Sequence, residues 1–210
     1  MKPACAVIVF AKAPVAGAVK TRLAGALGAA GAARLAARML DATTARAREA
    51  AVGPVEVCCA PDASHPAFTA LTRSAAGLTL TEQGDGDLGQ RMHRAFERVL
   101  ASQACAIGIG TDAPALDADY LREAAMALLG HDAVIGPAVD GGYALLGLRR
   151  PQAALFDGID WSTPHVLAQT RDRLGRLGLT WAELAPLHDI DEPADLRHLP
   201  AGWAPLPLRE

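Results

Sequence analysis

The fold is decided by the stretch ACAVIVFAKAPVAGAVKTRL, residues 4–23. Its first eight residues form an apolar run with the length of a buried strand, and a loop rich in small residues follows. A segment rich in alanine and arginine then predicts a long helix at 28–51. A buried strand followed by a helix is the opening of a βα unit, which is typical of parallel sheets with helices on both faces.

The same alternation continues along the chain. Further strands are predicted at 54–60, 78–82, 104–110, 132–137 and 179–185, and helices at 65–75, 88–102, 118–129, 164–177 and after Asp191. Residues 139–149 predict another strand, entered through a short Asp-Gly-Gly turn. Such a turn is too short for a parallel crossover, so this strand should run antiparallel. We therefore predict an α/β fold with three layers and a mostly parallel sheet of about seven strands, one of them antiparallel. The end of the chain, WAPLPLRE at 203–210, is expected to be a loose or docked tail.

Composition limits the possible partners. The formal net charge of −3 argues against nucleic acid as a ligand. No apolar run approaches the roughly 18 residues that a membrane span requires. The four cysteines lack metal-binding spacing and are expected to be reduced, which favours a cytoplasmic protein. No linker divides the chain, so residues 1–210 are interpreted as a single domain; the sequence does not indicate its oligomeric state.

The loop after the first strand is the strongest candidate for a phosphate site. Two of only three lysines in the chain, Lys12 and Lys20, flank it, although 17 arginines carry the remaining positive side-chain charge. An ammonium is a compact, movable charge for a phosphate, and small residues let backbone N–H groups approach an anion. The predicted nucleotide-binding residues here are Lys12, Pro14, Gly17, Lys20, Thr21 and Arg22. The loop lacks P-loop spacing, and a surface loop with two incidental lysines is the alternative.

Two acidic segments are candidates for a metal site. Asp112 lies just beyond the strand 104–110, at the edge where open α/β sheets bind ligands, and Asp191 lies near the end of the chain. Mg²⁺ or Mn²⁺ beside a phosphate typically takes one or two carboxylates. Each aspartate could instead cap a helix or turn. The pair is interpreted as the ligand set of a divalent metal.

Three glycine- or aromatic-containing turns could complete a binding cleft. The first, QGDGDLGQRM at 83–92, offers Gln83, Gly84 and Asp87 to a base or ribose, or is a polar surface loop. In the second, Asp140 precedes three candidate acceptor-binding residues, Gly141, Gly142 and Tyr143, and glycine there permits close backbone approach. In the third, Trp161 is either a lid or acceptor contact, or a core residue.

Six motifs, taken in order, resemble a known family. They are FAKAPVAGAVKTRLA, QGDGDLGQRM, IGTDAPAL, GPAVDGGYALLGL, WSTPHVLAQT and DIDEPADL. The chain resembles the bacterial glycosyltransferases known as radical-SAM/selenodomain-associated transferases, which are similar to molybdopterin and 2-phospholactate guanylyltransferases. This resemblance implies the nucleotide-diphospho-sugar transferase (GT-A) fold, with nucleotide over the N-terminal half of the sheet and acceptor over the C-terminal half.

The resemblance also implies roles for individual residues. Lys12, Lys20 and Arg22 would contact phosphates, Asp112 and Asp191 would hold the metal, and the turn 140–143 would line the acceptor site. One departure matters: many glycosyltransferases of this fold carry Asp-x-Asp, whereas this chain has Asp112-Ala-Pro. The second ligand must then come from elsewhere, which weakens the interpretation as a sugar transferase.

Three functions are consistent with these features. The first is a glycosyltransferase acting on a nucleoside diphosphate sugar and a small acceptor, with Lys20 and Asp140 as catalytic residues and Asp140 as the acceptor's base. The second is a guanylyltransferase-like nucleotidyltransferase, in which a phosphorylated acceptor attacks a nucleoside triphosphate and pyrophosphate leaves. The third is a non-catalytic domain that binds a nucleotide or another partner.

Overall fold

The computed structural model describes residues 5–74 and 77–203. These residues form seven strands: β1 (Cys5–Lys12), β2 (Val55–Ala60), β3 (Leu78–Glu82), β4 (Cys105–Ile109), β5 (Ala133–Pro137), β6 (Tyr143–Leu148) and β7 (Trp181–Glu183). They also form five α-helices: α1 (Ala24–Ala50), α2 (Pro66–Ser74), α3 (Leu88–Leu100), α4 (Ala118–Ala127) and α5 (Val166–Arg176). Short 3-10 helices lie at Thr21–Leu23, Ala153–Leu155 and Pro193–His198.

The strands form a single mixed sheet within the described residues. Its order is β3-β2-β1-β4-β6-β5-β7. Strand β6 runs antiparallel to both of its neighbours, β4 and β5, whereas the other pairs of neighbours are parallel. The predicted sheet of about seven strands with one antiparallel strand is confirmed. Because β6 runs against the others, its first residue lies at the same edge as the last residues of β4 and β5.

Helices cover the sheet on both faces, which gives the three predicted layers. Alternate side chains of β1 face opposite cores, because successive residues of a strand point to opposite sides. Val7 and Val9 pack in the core that includes residues of α1, α2 and α4, while Ile8 packs in the core that includes residues of α3 and α5. Tight packing on both faces leaves ligands access mainly at the strand ends.

A third, smaller cluster joins the beginning of the chain around α1 to the C-terminal segment. Leu23, Leu35 and Met39 pack with Ile190, which is fully buried, and Trp203 lies against this cluster. The Arg38 guanidinium lies 4.6 Å from the centre of the Trp203 ring, a favourable cation–π arrangement. The C-terminal segment is thus anchored on α1.

The structure differs from the predicted elements at several boundaries. Helix α1 begins at Ala24, and Gly28, predicted as its start, has a non-helical backbone (φ 68°) within it. Strand β6 begins at Tyr143, because residues 138–142 form the turn, closed by a hydrogen bond from Ala138 N to Gly142 O. The element after Asp191 is a short 3-10 helix. The predicted end residues Ala4 and Ala75, and residues 204–210 of the predicted tail, lie outside the described residues.

No helix formed by residues 5–74 and 77–203 combines the length and the apolar character that crossing a bilayer requires.

Candidate functional site

A cleft of about 700 Å³ opens at the edge of the sheet where the parallel strands end. Its floor is formed by the last residues of β1 and β4 and the first residues of β6. Of the residues predicted from the sequence to form the site, the cleft is lined by Lys12, Lys20, Thr21, Arg22, Gln83, Asp112, Tyr143 and Asp191. Three remote segments of the chain therefore supply charged groups to one space.

The loop after β1 presents Lys20 to the cleft in an uncommon backbone conformation. Lys20 has φ 47° and ψ 42°, the left-handed region that non-glycine residues rarely adopt. The Lys12 ammonium donates a hydrogen bond to Ala18 O at 3.0 Å and so closes the loop on itself. Such conformations persist where the surrounding structure enforces them, and they cluster at functional sites.

The ammonium of Lys20 lies between two carboxylates. Its Nζ is 2.6 Å from Asp112 Oδ1 and 2.7 Å from Asp191 Oδ1. The Lys20 side chain is only 7% exposed, whereas those of Asp112 and Asp191 are 48% and 45% exposed. The cation is thus enclosed, and the carboxylates keep one side open to the cleft. The predicted convergence of Lys20, Asp112 and Asp191 is present in the structure.

Backbone contacts hold Asp191 beside Asp112. Ile190 N donates to Asp112 O at 2.9 Å, and Ala138 and Leu187 form a parallel bridge just before this segment. The buried Ile190 side chain anchors the segment in the cluster on α1. Both aspartates therefore occupy fixed positions.

Helix capping does not occupy the Asp191 carboxylate. Glu192 is the N-cap of the 3-10 helix Pro193–His198; Asp195 N donates to the Glu192 carbonyl at 2.9 Å, and the Asp195 carboxylate accepts the Glu192 N–H at 2.7 Å. Asp191 contributes its backbone N–H to this turn, donating to the Asp195 carboxylate at 3.1 Å. The N-cap position considered for Asp191 from the sequence is occupied by Glu192, and Asp191 lines the cleft.

The electrostatics of this cluster keep Lys20 charged. Burial acts to lower the pKa of Lys20, but the carboxylates of Asp112 and Asp191 outweigh burial, and the net effect is a raised pKa. Nearby, burial and then the charge of Asp140 raise the pKa of Asp189 to about 6. Asp189 is two residues before Asp191 in the sequence but was not predicted as a site residue; its proximity to Asp140 and Asp112 comes from the fold.

The other cations and small residues of the loop are more exposed. Arg22 lines the cleft and pairs with Glu192 at 3.6 Å, with both side chains largely exposed. Pro14 and Gly17 do not line the cleft; Gly17 has φ 81° and shapes the turn that returns the chain toward Lys20. Pro14 and Gly17 would therefore affect a nucleotide through the shape of the loop and not by touching it.

Gln83 forms the side wall of the cleft near β2 and β3. The Gln83 amide nitrogen donates to Ala11 O at 3.2 Å and to Cys58 O at 2.9 Å, which ties this buried side chain to β1 and β2. Asp87 caps α3, with a reciprocal bond between Asp87 and Gln90 in a capping box. Gln83 lines the cleft, but Gly84 and Asp87 do not. The cap occupies one oxygen of the Asp87 carboxylate.

The predicted acceptor turn packs tightly against the segment that contains Trp161. Gly141 has φ 92°, and a Cβ on it would lie 2.3 Å from Pro164 O, so glycine is required there. Asp140 Oδ1 accepts the backbone N–H of Gly142 at 2.8 Å, and Leu167 N donates to Gly141 O at 2.9 Å. Tyr143 lines the cleft, and burial raises the pKa of its hydroxyl. Asp140, Gly141 and Gly142 form the adjacent rim.

Trp161 belongs to the core on the α3 side of the sheet. Its ring lies 6.5 Å from that of Phe156 in a stacked arrangement, and a Cβ on Gly89 would meet the indole at 2.7 Å. The ring is partly buried and does not line the cleft, whereas the following residue, Ser162, does. Ser162 has φ 63° and was not predicted as a site residue; the quoted motif WSTP was its only signal.

A divalent metal fits between Asp112 and Asp191 by the chemistry of the donors. The described residues contain no group of three or more His, Cys, Asp or Glu side chains able to hold a metal ion. Two carboxylates suffice where phosphate oxygens and water complete the shell. The Lys20 ammonium, in contact with both, already marks this position as one that stabilises a cation.

Comparisons with known proteins agree with this fold. The family described as "Uncharacterized protein conserved in bacteria (DUF2064)" matches residues 39–163, more than half of the chain. That range contains Asp112 and Asp140 but neither Lys20 nor Asp191. No curated protein sequence matches the chain.

Solved structures give a broader set of similarities. A protein from Desulfovibrio desulfuricans G20, described provisionally as a nucleotide-diphospho-sugar transferase, is 28% identical, with a TM-score of 0.83 over 91% of this chain and 84% of that one. The 4-diphosphocytidyl-2C-methyl-D-erythritol synthase of Anaerococcus prevotii is 8% identical, with a TM-score of 0.62 over 93% and 95%. Glucosyl-3-phosphoglycerate synthase of Mycobacterium tuberculosis, in complex with Mn²⁺, UDP and glucosyl-3-phosphoglycerate, is 11% identical, with a TM-score of 0.56 over 93% and 75%. The last two likenesses concern the fold alone.

Proposed function

The chain belongs to the bacterial family DUF2064, and from that premise we propose that it is a metal-dependent glycosyltransferase. It would move a sugar from a nucleoside diphosphate sugar to a small acceptor. The observation that carries this proposal is the contact of Lys20 with both Asp112 and Asp191 at the floor of a large cleft. The 28% identical protein described provisionally as a nucleotide-diphospho-sugar transferase supports the same class of donor.

The donor's phosphates would bind beside the loop after β1. Lys12, Lys20 and Arg22 line the cleft there, and their charges would stabilise the diphosphate as it leaves. The wall formed by Gln83 would contact the nucleoside, with the Gln83 amide nitrogen already committed to backbone carbonyls. Its amide oxygen is the group that would accept a hydrogen bond from the base or ribose.

Asp112 and Asp191 would hold the metal, Mg²⁺ or Mn²⁺. When bound, the metal would supply positive charge to the phosphate oxygens of the leaving group. The absence of a second aspartate two residues after Asp112 is offset here, because Asp191 from the C-terminal segment lies in contact with the same lysine. A relative of the same fold, glucosyl-3-phosphoglycerate synthase, binds Mn²⁺ together with UDP.

The acceptor would bind on the rim beyond β6. Tyr143 and Ser162 line the cleft on that side, and Asp140 lies at the turn between β5 and β6. The Asp140 carboxylate keeps one oxygen outside its bond to Gly142, and this oxygen would take the proton of the acceptor hydroxyl. Trp161 would act by supporting Ser162 from the core.

Nucleotidyl transfer is the second candidate, favoured by the concentration of cations. Three basic side chains line the donor end of the cleft, which suits the larger charge of a triphosphate. The fold is also that of 4-diphosphocytidyl-2C-methyl-D-erythritol synthase. In this reaction a phosphorylated acceptor attacks the α-phosphate, and pyrophosphate leaves. The specific kinship with radical-SAM/selenodomain-associated transferases and with molybdopterin and 2-phospholactate guanylyltransferases stays a prediction.

The leaving group separates the two reactions. Purified protein with Mg²⁺ or Mn²⁺ would first be screened by thermal shift against nucleoside diphosphate sugars and nucleoside triphosphates. A donor at 100 times its Kd should add about 2.7 kcal/mol to the free energy of unfolding. Stabilising donors are then incubated with a panel of sugars, alcohols and phosphorylated acceptors. Release of nucleoside diphosphate supports sugar transfer, whereas release of pyrophosphate rejects it in favour of nucleotidyl transfer. Binding without turnover across the panel would favour the non-catalytic binding domain. The cytoplasmic location and the single domain stay predictions.

A further inference from the structure

We propose that Lys20 is a resident counter-ion of the Asp112–Asp191 pair, which must leave before a divalent metal can bind, so that metal and donor bind cooperatively. This inference rests on the proposed function, because it assigns the donor's phosphates as the group that draws Lys20 away. It concerns the order and strength of binding at that site. The same ammonium would thus serve first the carboxylates and then the phosphates.

The contacts of Lys20 leave little room for a second cation. Its Nζ lies within 2.7 Å of one oxygen of each aspartate, and its side chain is 7% exposed. A metal held by the same two carboxylates would have to share them with an enclosed ammonium of like charge. Like charges in an enclosed space repel strongly, since solvent screens them poorly. A metal bound to these two carboxylates and Lys20 in its present position would therefore compete for the same oxygens.

The charges explain why the exchange needs an anion. Two carboxylates with one ammonium carry a net charge of −1, and the ammonium is satisfied by two ion pairs. If the ammonium leaves for water, it loses both pairs, whereas a phosphate in the cleft offers it a new one. Lys12, Lys20 and Arg22 line the same part of the cleft, so phosphates bound beside Lys12 and Arg22 would also lie close to Lys20. A donor would thus free the carboxylates for the metal, and the metal would in turn strengthen donor binding.

The backbone of Lys20 favours a movement of the side chain over a movement of the loop. The left-handed conformation at Lys20 is followed directly by the 3-10 helix Thr21–Leu23, and Leu23 is fully buried. The main chain is therefore anchored on one side. The ammonium can change partners by rotation about side-chain bonds, without a rearrangement of the loop.

The first test measures Mn²⁺ binding without any nucleotide. Free Mn²⁺ is followed by electron paramagnetic resonance in titrations of wild type and Lys20→Met. Met keeps the length of the side chain and removes its charge. We expect Lys20→Met to bind Mn²⁺ at least about fivefold more tightly, within the range typical of coupling between two ligands. Lys12→Met is the matched control; Lys12 lines the same cleft but bonds to Ala18 O, so its loss should change Mn²⁺ affinity less than about twofold. Equal or weaker binding by Lys20→Met would overturn the proposal.

The second test uses the folded wild-type protein, so it does not depend on the stability of a variant. The chain has only three lysines, so selective ¹³C,¹⁵N-lysine labelling gives three sets of side-chain signals. Addition of Mg²⁺ together with a bound nucleoside diphosphate should shift the Lys20 Cε and Nζ signals. The nucleotide without Mg²⁺ should shift them partly, and Mg²⁺ without nucleotide much less at equal concentration. Metal binding that leaves the Lys20 signals unmoved would contradict the exchange.

The two tests separate this inference from the proposed function. Tighter Mn²⁺ binding by Lys20→Met, with no nucleotide bound by wild type, would leave Lys20 as a counter-ion and reject the transferase. Nucleotide binding and turnover, with unchanged Mn²⁺ affinity in Lys20→Met, would leave the transferase and reject the counter-ion role.

Discussion

The two halves of the cleft are built in different ways. On the proposed donor side, charged side chains from remote segments meet, and Lys20 is enclosed between Asp112 and Asp191. On the proposed acceptor side, two turns pack backbone to backbone, with Gly141 against Pro164. The donor half is held by electrostatics and the acceptor half by close packing. A cleft that handles phosphates on one side and a neutral hydroxyl on the other would have this division.

The largest expected effect is on catalysis at the donor side. Asp112→Asn should lower kcat/KM on the order of 1000-fold, because it removes one of the two carboxylates proposed to hold the metal. The matched control is Asp119→Asn, an exposed aspartate on α4 that pairs with Arg122. It should retain the activity of wild type. Metal-dependent turnover of Asp112→Asn within tenfold of wild type would show that Asp112 is not a ligand.

The next largest effect is on stability at the acceptor side. Gly141→Ala should lower the free energy of unfolding by about 3 kcal/mol or more, because the new Cβ would meet Pro164 O and φ is 92°. Gly178→Ala is the matched control: its φ is 66°, but no atom beyond its two chain neighbours lies within 4 Å of the new Cβ. It should lose only about 1 kcal/mol, the cost of the backbone conformation. Urea unfolding measures both, and equal losses would contradict the close packing of the turn.

A smaller effect is expected at Ser162. Its φ of 63° is unfavourable for serine, so Ser162→Gly should keep or raise the free energy of unfolding, by up to about 1 kcal/mol. Ser162→Ala should bring no such relief. Both variants remove the hydroxyl of a residue that lines the cleft and should raise KM for the acceptor more than KM for the donor. The reverse order of the two KM changes would place Ser162 on the donor side.

The smallest effect concerns an exposed ion pair at the edge of the sheet. Arg171 lies 2.6 Å from Glu183, and its hydrogen bonds hold the pKa of Glu183 below the ordinary value of 4.5. A carboxyl group whose pKa is lowered in the folded state stabilises the fold at pH values above its unfolded-state pKa. This contribution to the free energy of unfolding is lost as the pH falls through the folded-state pKa. Arg171→Gln should therefore cost at most about 1 kcal/mol at pH 7, with the difference from wild type shrinking below pH 4.5.

The control is Arg176→Gln, which removes the ion pair between Arg176 and Asp172, a pair more exposed than Arg171–Glu183. It should cost less than Arg171→Gln at pH 7. A difference between Arg171→Gln and wild type that grows at acidic pH would contradict the assigned direction of the Glu183 pKa.

Much of the fold could be predicted because the central strands are compact apolar runs. The run before Lys12 and the run before Gly110 both became central strands, β1 and β4, close to their predicted bounds. The antiparallel direction of β6 also followed from the shortness of its turn. The order of the strands did not follow, because the insertion of β6 between β4 and β5 depends on pairing between distant residues. The Asp-Gly-Gly turn at 140–142 was predicted, but the strand range of 139–149 was too long, since β6 begins at Tyr143 and ends at Leu148.

For the candidate site, strand patterns predicted only the edge of the sheet at which it lies. Residues that follow strands β1 and β4 must lie on one edge of a parallel sheet, which brought Lys20 and Asp112 together in the prediction. Asp191 was paired with Asp112 in the prediction but follows no such rule; the bond from Ile190 N to Asp112 O brings it there. The packing of Trp161 and the left-handed Ser162 also depend on tertiary contacts. Sequence patterns carry local chemistry, whereas these positions are determined by contacts across the molecule.

The hairpin between β5 and β6 has a consequence for how the cleft could be altered. A parallel neighbour would have to return through a long crossover, but this hairpin places five residues, 138–142, directly at the open edge. Hairpin loops accept changes in length at small entropic cost, provided that the strands keep their register. Lengthening this connection would build a new wall over the acceptor end, while Lys20, Asp112 and Asp191 kept their places. Related chains could therefore exchange acceptors through a single loop without rebuilding the charged half of the cleft.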